Sequence, residues 1–533
     1  MPNEILDVAV VGGGVSGVYS AWRLLTQGRM RRVAVFEADD HIGGRLLSVT
    51  PPGISDMRAE LGGMRILPAV QPRIGKLIKL LNAKLGRAKR IELYPFPVDQ
   101  PDNISYLRGT YLRLSDFSAH PEKVPYHLSF QEDNKTPGAI VLNAIEQVVP
   151  GITRAGLTEG QRRRMTRDTV FDGKPLYEQG FWQVLMRVMS GEAYQLAVAA
   201  GGYESTLTNW NAADAIPWYL SDFGIKPEYY GFRKGFQQVP LTLAEMVEEA
   251  KGTISCGAKV VRFDVSTGGV TLHFEKGGPV KAASLILAMP RRSLELLAAN
   301  TAFLQGKAVT QLIKSVSPRP LFKLFTTYDC PWWLPAGVQV GRTTTDLPVR
   351  QTYYWPKDNG SPATEGRAML MASYDDGLNI GFWDGFRPKR GREWRRHAAD
   401  APGPEMFVGS ADRAKARNRE WLKYRAPKAM VEEMQRQLSI IHGLQFTPKV
   451  RDASFKDWGD DPFGGGWNSW NIGVKSWEVR EQIIRPVKGA SVYICGEAYS
   501  DAQGWVEGAL ETADLMLEDK NYFDLPPLPD PEW

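Results

Sequence analysis

The residues that could do chemistry in this chain fall in a few short runs. Near the start, Gly12-Gly13-Gly14-Val15-Ser16-Gly17 matches G-x-G-x-x-G, and Glu37 follows the last glycine by about twenty residues. Gly12 allows a tight turn, Gly14 lets backbone approach a pyrophosphate, and Gly17 lets a helix pack closely on a strand. A helix that begins at this turn offers free N–H groups and a positive dipole end to phosphates. Glu37 can accept hydrogen bonds from both ribose hydroxyls and would repel a 2′-phosphate, so the run suits a dinucleotide other than NADP.

Further runs carry polar groups in apolar settings. Arg65 closes Glu60-Leu61-Gly62-Gly63-Met64-Arg65. Arginine presents a planar fork that pairs a carboxylate bidentately. Lys323 sits inside Leu321-Phe322-Lys323-Leu324-Phe325, where a lysine is costly unless paired or functional. Tyr374, Asp375 and Asp376 follow the apolar run Ala368–Met371. On a strand, Asp376 would point to the same side as Tyr374 and favour a cationic ligand group. The Asp-Asp-Gly order favours a turn instead. Near the end, Gly496-Glu497 precedes Gly504-Trp505-Val506.

Position comes from the surrounding elements. Val8–Val11 and Val33–Phe36 read as buried parallel strands around a helix containing Val18, Trp22 and Leu25, with Gly28 as its C-cap. Helical spacing is expected over Val141–Val149, Tyr177–Ala200 and Ala215–Leu220, then up to Ala250 and over 428–441. Val260–Phe263 and Val270–Phe274 read as a hairpin, and Leu285–Ala288 and Val492–Cys495 as buried strands. The Arg/Lys-rich run Gly385–Arg396 reads as a solvated surface segment, and the proline-rich tail from Leu525 to Trp533 as extended chain.

With Asp40-His41-Ile42-Gly43-Gly44-Arg45 added, the chain resembles the flavin-containing amine oxidase family. Gly62-Gly63-Met64-Arg65 and Tyr374 resemble its L-amino-acid oxidases more narrowly. The resemblance implies a mixed α/β fold with a discontinuous Rossmann-like FAD-binding domain, a mixed-sheet substrate domain and a helical subdomain. It places FAD on Gly12, Gly14, Ser16, Gly17, Glu37, Ala38, Gly44, Arg45, Gly62, Gly63, Met64, Arg65, Val260, Gly496, Glu497, Gly504, Trp505 and Val506. Arg65 and Tyr374 would hold an α-carboxylate, Lys323 would reach flavin N5 through a water, and Gly504 would accept from the substrate amine. Trp218, Trp467 and Trp505 would wall the pocket, with Asp376 and Arg319 beside it; Trp470 adds to an aromatic setting suited to bulky side chains. Trp467 occupies the position matching the flavin-linking cysteine of monoamine oxidases, so FAD is expected to be non-covalent. The implied reaction is oxidative deamination of L-amino acids by dioxygen to 2-oxo acid, ammonia and hydrogen peroxide. The same scaffold also serves amino-acid 2-monooxygenases, which release an amide, and a non-catalytic flavin-binding module is the alternative of another class. A homodimer is expected, as the family is often dimeric.

The totals narrow the classes. At 533 residues the chain has room for more than one core. We expect 1–65, 231–315 and 450–533 in the FAD-binding domain, 66–115 and 316–449 in the substrate-binding domain, and 116–230 in the helical subdomain. A net charge of +5 is too small for a dedicated nucleic-acid binder. No apolar run is long enough for a membrane span, and the six scattered histidines show no metal-ligand spacing. Cys256, Cys330 and Cys495 suit free thiols in a reducing compartment. With no signal peptide ahead of the first strand, a cytoplasmic protein is expected.

Overall fold

The computed structural model describes residues 5–28, 30–224, 227–387 and 404–530. Two seven-stranded sheets and a group of helices carry the architecture. The first sheet places Leu6–Val11 between Val33–Phe36 and Val280–Ala288, all parallel. Thr253–Ser255 extends it on one side and Val492–Cys495 on the other, also parallel. The expected hairpin, Val260–Ser266 with Gly269–Phe274, pairs antiparallel with the first half of Val280–Ala288.

Both faces of its central parallel strands are buried, which explains their unbroken apolar runs. Side chains alternate along each strand. Val8, Val10, Val33, Val35 and Ile286 enter a core with the helices Val15–Thr26, Gln238–Glu249 and Val506–Leu517. Ala9, Val11, Ala34, Leu285 and Leu287 enter a second core, with Leu294, Leu304 and Val309.

The second sheet runs in the order Asp452–Asp457, Phe322–Tyr328, Ala368–Asp375, Gln351–Tyr354, Gly341–Thr345, Ile104–Leu107, Thr110–Arg113. Its pairs are antiparallel except Gly341–Thr345 with Ile104–Leu107. Asp452–Asp457, expected with the nucleotide unit, thus joins this sheet. Conversely the helix Pro72–Lys84, expected with the substrate unit, buries Ile74, Leu77, Ile78 and Leu81 in the core of the first sheet. A third core joins the helices Pro137–Val148, Gly191–Gly201 and Ala212–Phe223.

Local details differ from the sequence reading. The stretch 177–200 is not one helix: a 3-10 turn at Leu176–Glu178 and a short helix at Phe181–Leu185 precede Gly191–Gly201. The Ser190 hydroxyl accepts from Ala193 N, and Glu132 holds Ser190 through both its amide and its hydroxyl, so a new helix starts there. The first helix ends on Gln27, not Gly28. Gly28 serves close packing instead, since a Cβ there would lie 2.6 Å from the Leu24 carbonyl oxygen.

Of the basic run 385–396, residues 388–396 lie outside the described residues. Arg387 within it is largely buried and bridges Asp457 and Asp460, so it is not a solvated side chain. The tail is extended as far as residue 530, with Leu525 and Leu528 packed on the first core. Among the described residues no helix is long and apolar enough to cross a membrane.

Candidate active site

A cavity of about 910 Å³ runs from the end of the first sheet to the junction of the second sheet and the helices. At its first end the chain turns at Gly12, whose φ is +110°. A Cβ on Gly12 would lie 2.4 Å from the Ala288 carbonyl oxygen, and one on Gly17 only 1.9 Å from the Gly12 oxygen. These two glycines let strand and helix meet. Gly14 differs: a Cβ there would meet no protein atom within 4 Å, so its backbone faces open cavity. The helix that starts beyond it has no capping side chain, which leaves N–H groups and the positive dipole end facing the cavity. Glu37 lies on the cavity wall, holding Gly13 N at 2.6 Å and Asp39 N at 2.8 Å. Ser16, Ala38 and Val260 line the same end.

In the middle, Arg45 and Glu497 meet at 2.7 Å. Glu497 also accepts from Asn468 N and Gly504 N, at 2.8 and 3.0 Å. These bonds tie the first and last glycine segments together. Gly44, Gly62, Gly63, Met64 and Gly496 line this stretch. A second uncapped helix N-terminus, at Trp505-Val506, opens onto it.

The far end holds the chemistry-bearing side chains. Arg65 is 5% exposed. Its guanidinium donates to the hydroxyls of Tyr353 (3.2 Å) and Tyr203 (3.0 Å) and lies 4.0 Å from the Tyr229 ring centroid. It forms no ion pair among the described residues, although guanidinium stays charged at any working pH. Lys323 is 1% exposed and donates to the carbonyls of Glu60 and Gly62. Burial pulls its pKa down, the Glu60 carboxyl opposes this, and Arg65 adds to it. Burial pushes Glu60 up in turn, against hydrogen bonds from Ser48 and Phe236 N. Tyr374 lines the cavity, and its hydroxyl makes no hydrogen bond among the described residues.

Trp218 and Trp467 stack at 5.4 Å with an interplanar angle of 8° and form one wall. The Trp218 indole N–H donates to Gln503 O at 2.7 Å, which fixes that wall. Gly504 and Trp505 stand beside it. Asp376 also reaches the cavity, past the end of the strand and not on a solvated turn. Ser205 Oγ and Glu204 N satisfy it at 2.5 and 2.9 Å.

Two sequence expectations fail here. Arg319 does not line the cavity; it donates to Ser469 Oγ, Thr208 Oγ1 and Asn209 O, and burial draws its pKa down to about 10. Trp470 packs into the second core of the first sheet. Tyr203, Tyr229, Tyr353 and Asp222 were not legible beforehand. They come from the helical segment and the second sheet, with no local motif, and only the fold gathers them around Arg65. Asp39, Asp40 and His41 bring ligand-type atoms within 4.8 Å of one another, but the Lys423 ammonium lies 2.6 Å from Asp40, where a cation would sit.

The cavity fits FAD. It is elongated, has an open glycine at one phosphate-facing helix end and a second helix N-terminus further along, and ends in a mostly aromatic chamber. Among the described residues no cysteine or histidine lines it, which suits a cofactor held without a covalent link.

Comparison with known proteins agrees. The family model described as flavin containing amine oxidoreductase matches residues 15–515. Aplysianin-A of Aplysia kurodai is 27% identical, covering 98% of this chain and 91% of its own length. Achacin of Lissachatina fulica is 26% identical over 98% of this chain and 94% of its own. An L-amino-acid oxidase of Crotalus adamanteus is 23% identical over 96% and 86%. Among solved structures, a double mutant of putrescine oxidase shares the fold, with a TM-score of 0.65 at 18% identity over 96% of this chain and 98% of that one. The chain belongs to the flavin-containing amine oxidoreductase family, with FAD as its cofactor.

Proposed function

We propose that this protein oxidises L-amino acids to 2-oxo acids, with release of ammonia and hydrogen peroxide. One observation carries the reading: Arg65 is a buried permanent cation on the cavity wall, with no carboxylate hydrogen-bonded or ion-paired to it among the described residues, Asp222 acting on it only at longer range. A buried guanidinium without an anion is costly, and a ligand carboxylate removes that cost. A substrate lacking a carboxylate would leave it in place.

FAD, when bound, would take up the hydride from Cα–H and pass the electron pair to dioxygen to give hydrogen peroxide, and water would hydrolyse the released imino acid to the 2-oxo acid and ammonia. The chain's own residues do the rest. Arg65 grips the carboxylate bidentately, and the free Tyr374 hydroxyl donates to it. A carboxylate fixed at two points leaves one hand of Cα presented to the reacting face. The Gly504 carbonyl accepts from the α-amine and orients it. Burial disfavours charge on Lys323, and its direct bonds to the carbonyls of Glu60 and Gly62 fix the nitrogen, so the neutral amine keeps its lone pair for holding a water on the cavity side. The Trp218–Trp467 wall excludes bulk water and leaves room for bulky side chains. L-amino-acid oxidases among the relatives support the reading.

The test compares each L-amino acid with the amine left by removing its carboxylate. Peroxide from phenylalanine and methionine but not from phenethylamine and 3-methylthiopropylamine supports the assignment. Faster turnover of the amines overturns it.

A further inference from the structure

We infer that Asp222 and Arg65 form a frame of two opposite charges that selects L-amino acids with a cationic side chain, lysine or arginine. The inference rests on the oxidase reading above and names its substrate class.

Asp222 lies on the helix Ala212–Phe223, one turn after Trp218, so both point to the same side. Both line the cavity. Asp222 is 7% exposed. Its Oδ1 is buried, and its carboxylate has no hydrogen-bond partner among the described residues. Tyr229 ties it to the carboxylate-binding arginine. The Tyr229 hydroxyl donates to the Asp222 backbone oxygen at 2.8 Å, and its ring lies against the Arg65 guanidinium.

Buried carboxylates in native proteins are paired or hydrogen-bonded, and an orphan marks a missing partner. The neighbouring cations do not supply it. Arg65 donates to Tyr203 and Tyr353. Arg342 is occupied by Asp99, Gly201 O and Gln351. Burial accordingly pushes the Asp222 pKa up to about 7, against the pull of both arginines. Asp376, the other acid at this end, already has its donors from Ser205 and Glu204. Asp222 is therefore the acid left for a ligand.

The charges match a basic amino acid. Its carboxylate meets Arg65, and its side-chain ammonium or guanidinium meets Asp222. A neutral side chain leaves Asp222 buried and unpaired. The rings of Trp218 and Phe223, 6.0 Å apart, flank the position and add a surface on which a cation is attracted.

The test measures kcat/KM on the FAD-loaded protein for L-lysine and L-norleucine, which differ chiefly in the side-chain ammonium. The wild type should prefer lysine, and Asp222→Asn should cut the lysine-to-norleucine ratio by about a hundredfold. Asp222→Glu should restore part of it. Flavin absorbance near 450 nm reports whether each variant folds with its cofactor. A ratio that is unchanged in Asp222→Asn overturns the inference, because a structural role or a counter-ion role toward Arg65 would affect both substrates alike. Preference of the wild type for norleucine overturns it without any variant, while leaving the oxidase reading intact. Silence with every L-amino acid instead overturns the oxidase reading and removes the substrate class with it.

Discussion

Lys323 and Tyr374 are direct partners across neighbouring antiparallel strands, and the Lys323 ammonium nitrogen lies 5.0 Å from the Tyr374 ring centroid. Opposed residues on antiparallel strands share a face. Their register thus puts both on the cavity side, although about fifty residues separate them in sequence. Arg65 reaches the same place from a glycine segment tied to Lys323 through the Glu60 and Gly62 carbonyls. Strand register and these two bonds assemble the site.

Arg65→Ala should raise KM for amino acids by about a hundredfold or more while FAD remains bound, because it removes the guanidinium offered to the carboxylate. Steady-state peroxide production with the flavin spectrum checks this. An unchanged KM would remove Arg65 from the carboxylate site.

Gly14→Ala and Gly17→Ala should part company. A Cβ on Gly14 meets no protein atom, so the variant should keep its far-ultraviolet circular dichroism and lose FAD affinity. A Cβ on Gly17 collides with the Gly12 carbonyl at 1.9 Å, so that variant should lose stability even without cofactor. Equal effects on fold and FAD content in both variants would remove Gly14 from the phosphate-facing wall.

Lys323→Met should change stability in a pH-dependent way. The folded pKa of Lys323 is depressed below the ordinary 10.5. Below the folded value both folded and unfolded lysines are protonated, and the penalty for burying the ammonium is complete. As pH rises further the folded lysine loses its proton first, so the wild type gains stability relative to the variant up to about 10.5. Melting temperatures of both proteins from pH 6 to pH 10 check the sign. A difference independent of pH would mean that Lys323 keeps its ordinary pKa.

Acid precipitation should leave the yellow colour in the supernatant, since among the described residues no cysteine or histidine lines the cavity. Colour retained in the pellet would require a covalent link.

The nucleotide-facing half was legible because its requirements are local. A strand, a glycine turn, a helix and an acid follow one another, and Gly17 answers a contact with Gly12 only five residues away, although Gly12 itself meets Ala288 from a distant strand. Lys323 was legible as a residue type out of place in its apolar surroundings, and Arg65 and Tyr374 through the resemblance of their segments to L-amino-acid oxidases. The phenols of Tyr203 and Tyr353 were not, because tyrosine is unremarkable in both a helical segment and a strand. Asp222 was hidden for the same reason: an acid near the end of an amphipathic helix usually faces water, and only packing shows that this one does not. Arg319 misled in the opposite sense, since Ser469 and Thr208, far away in sequence, take up its donors.

The most direct test of the central claim is to incubate the protein with each L-amino acid and several D-forms, quantify peroxide and identify products by mass spectrometry. The account predicts a 2-oxo acid with equimolar peroxide and ammonia, from L-forms only. An amide with little peroxide would make the protein a monooxygenase, and turnover confined to amines without a carboxylate would contradict the role given to Arg65.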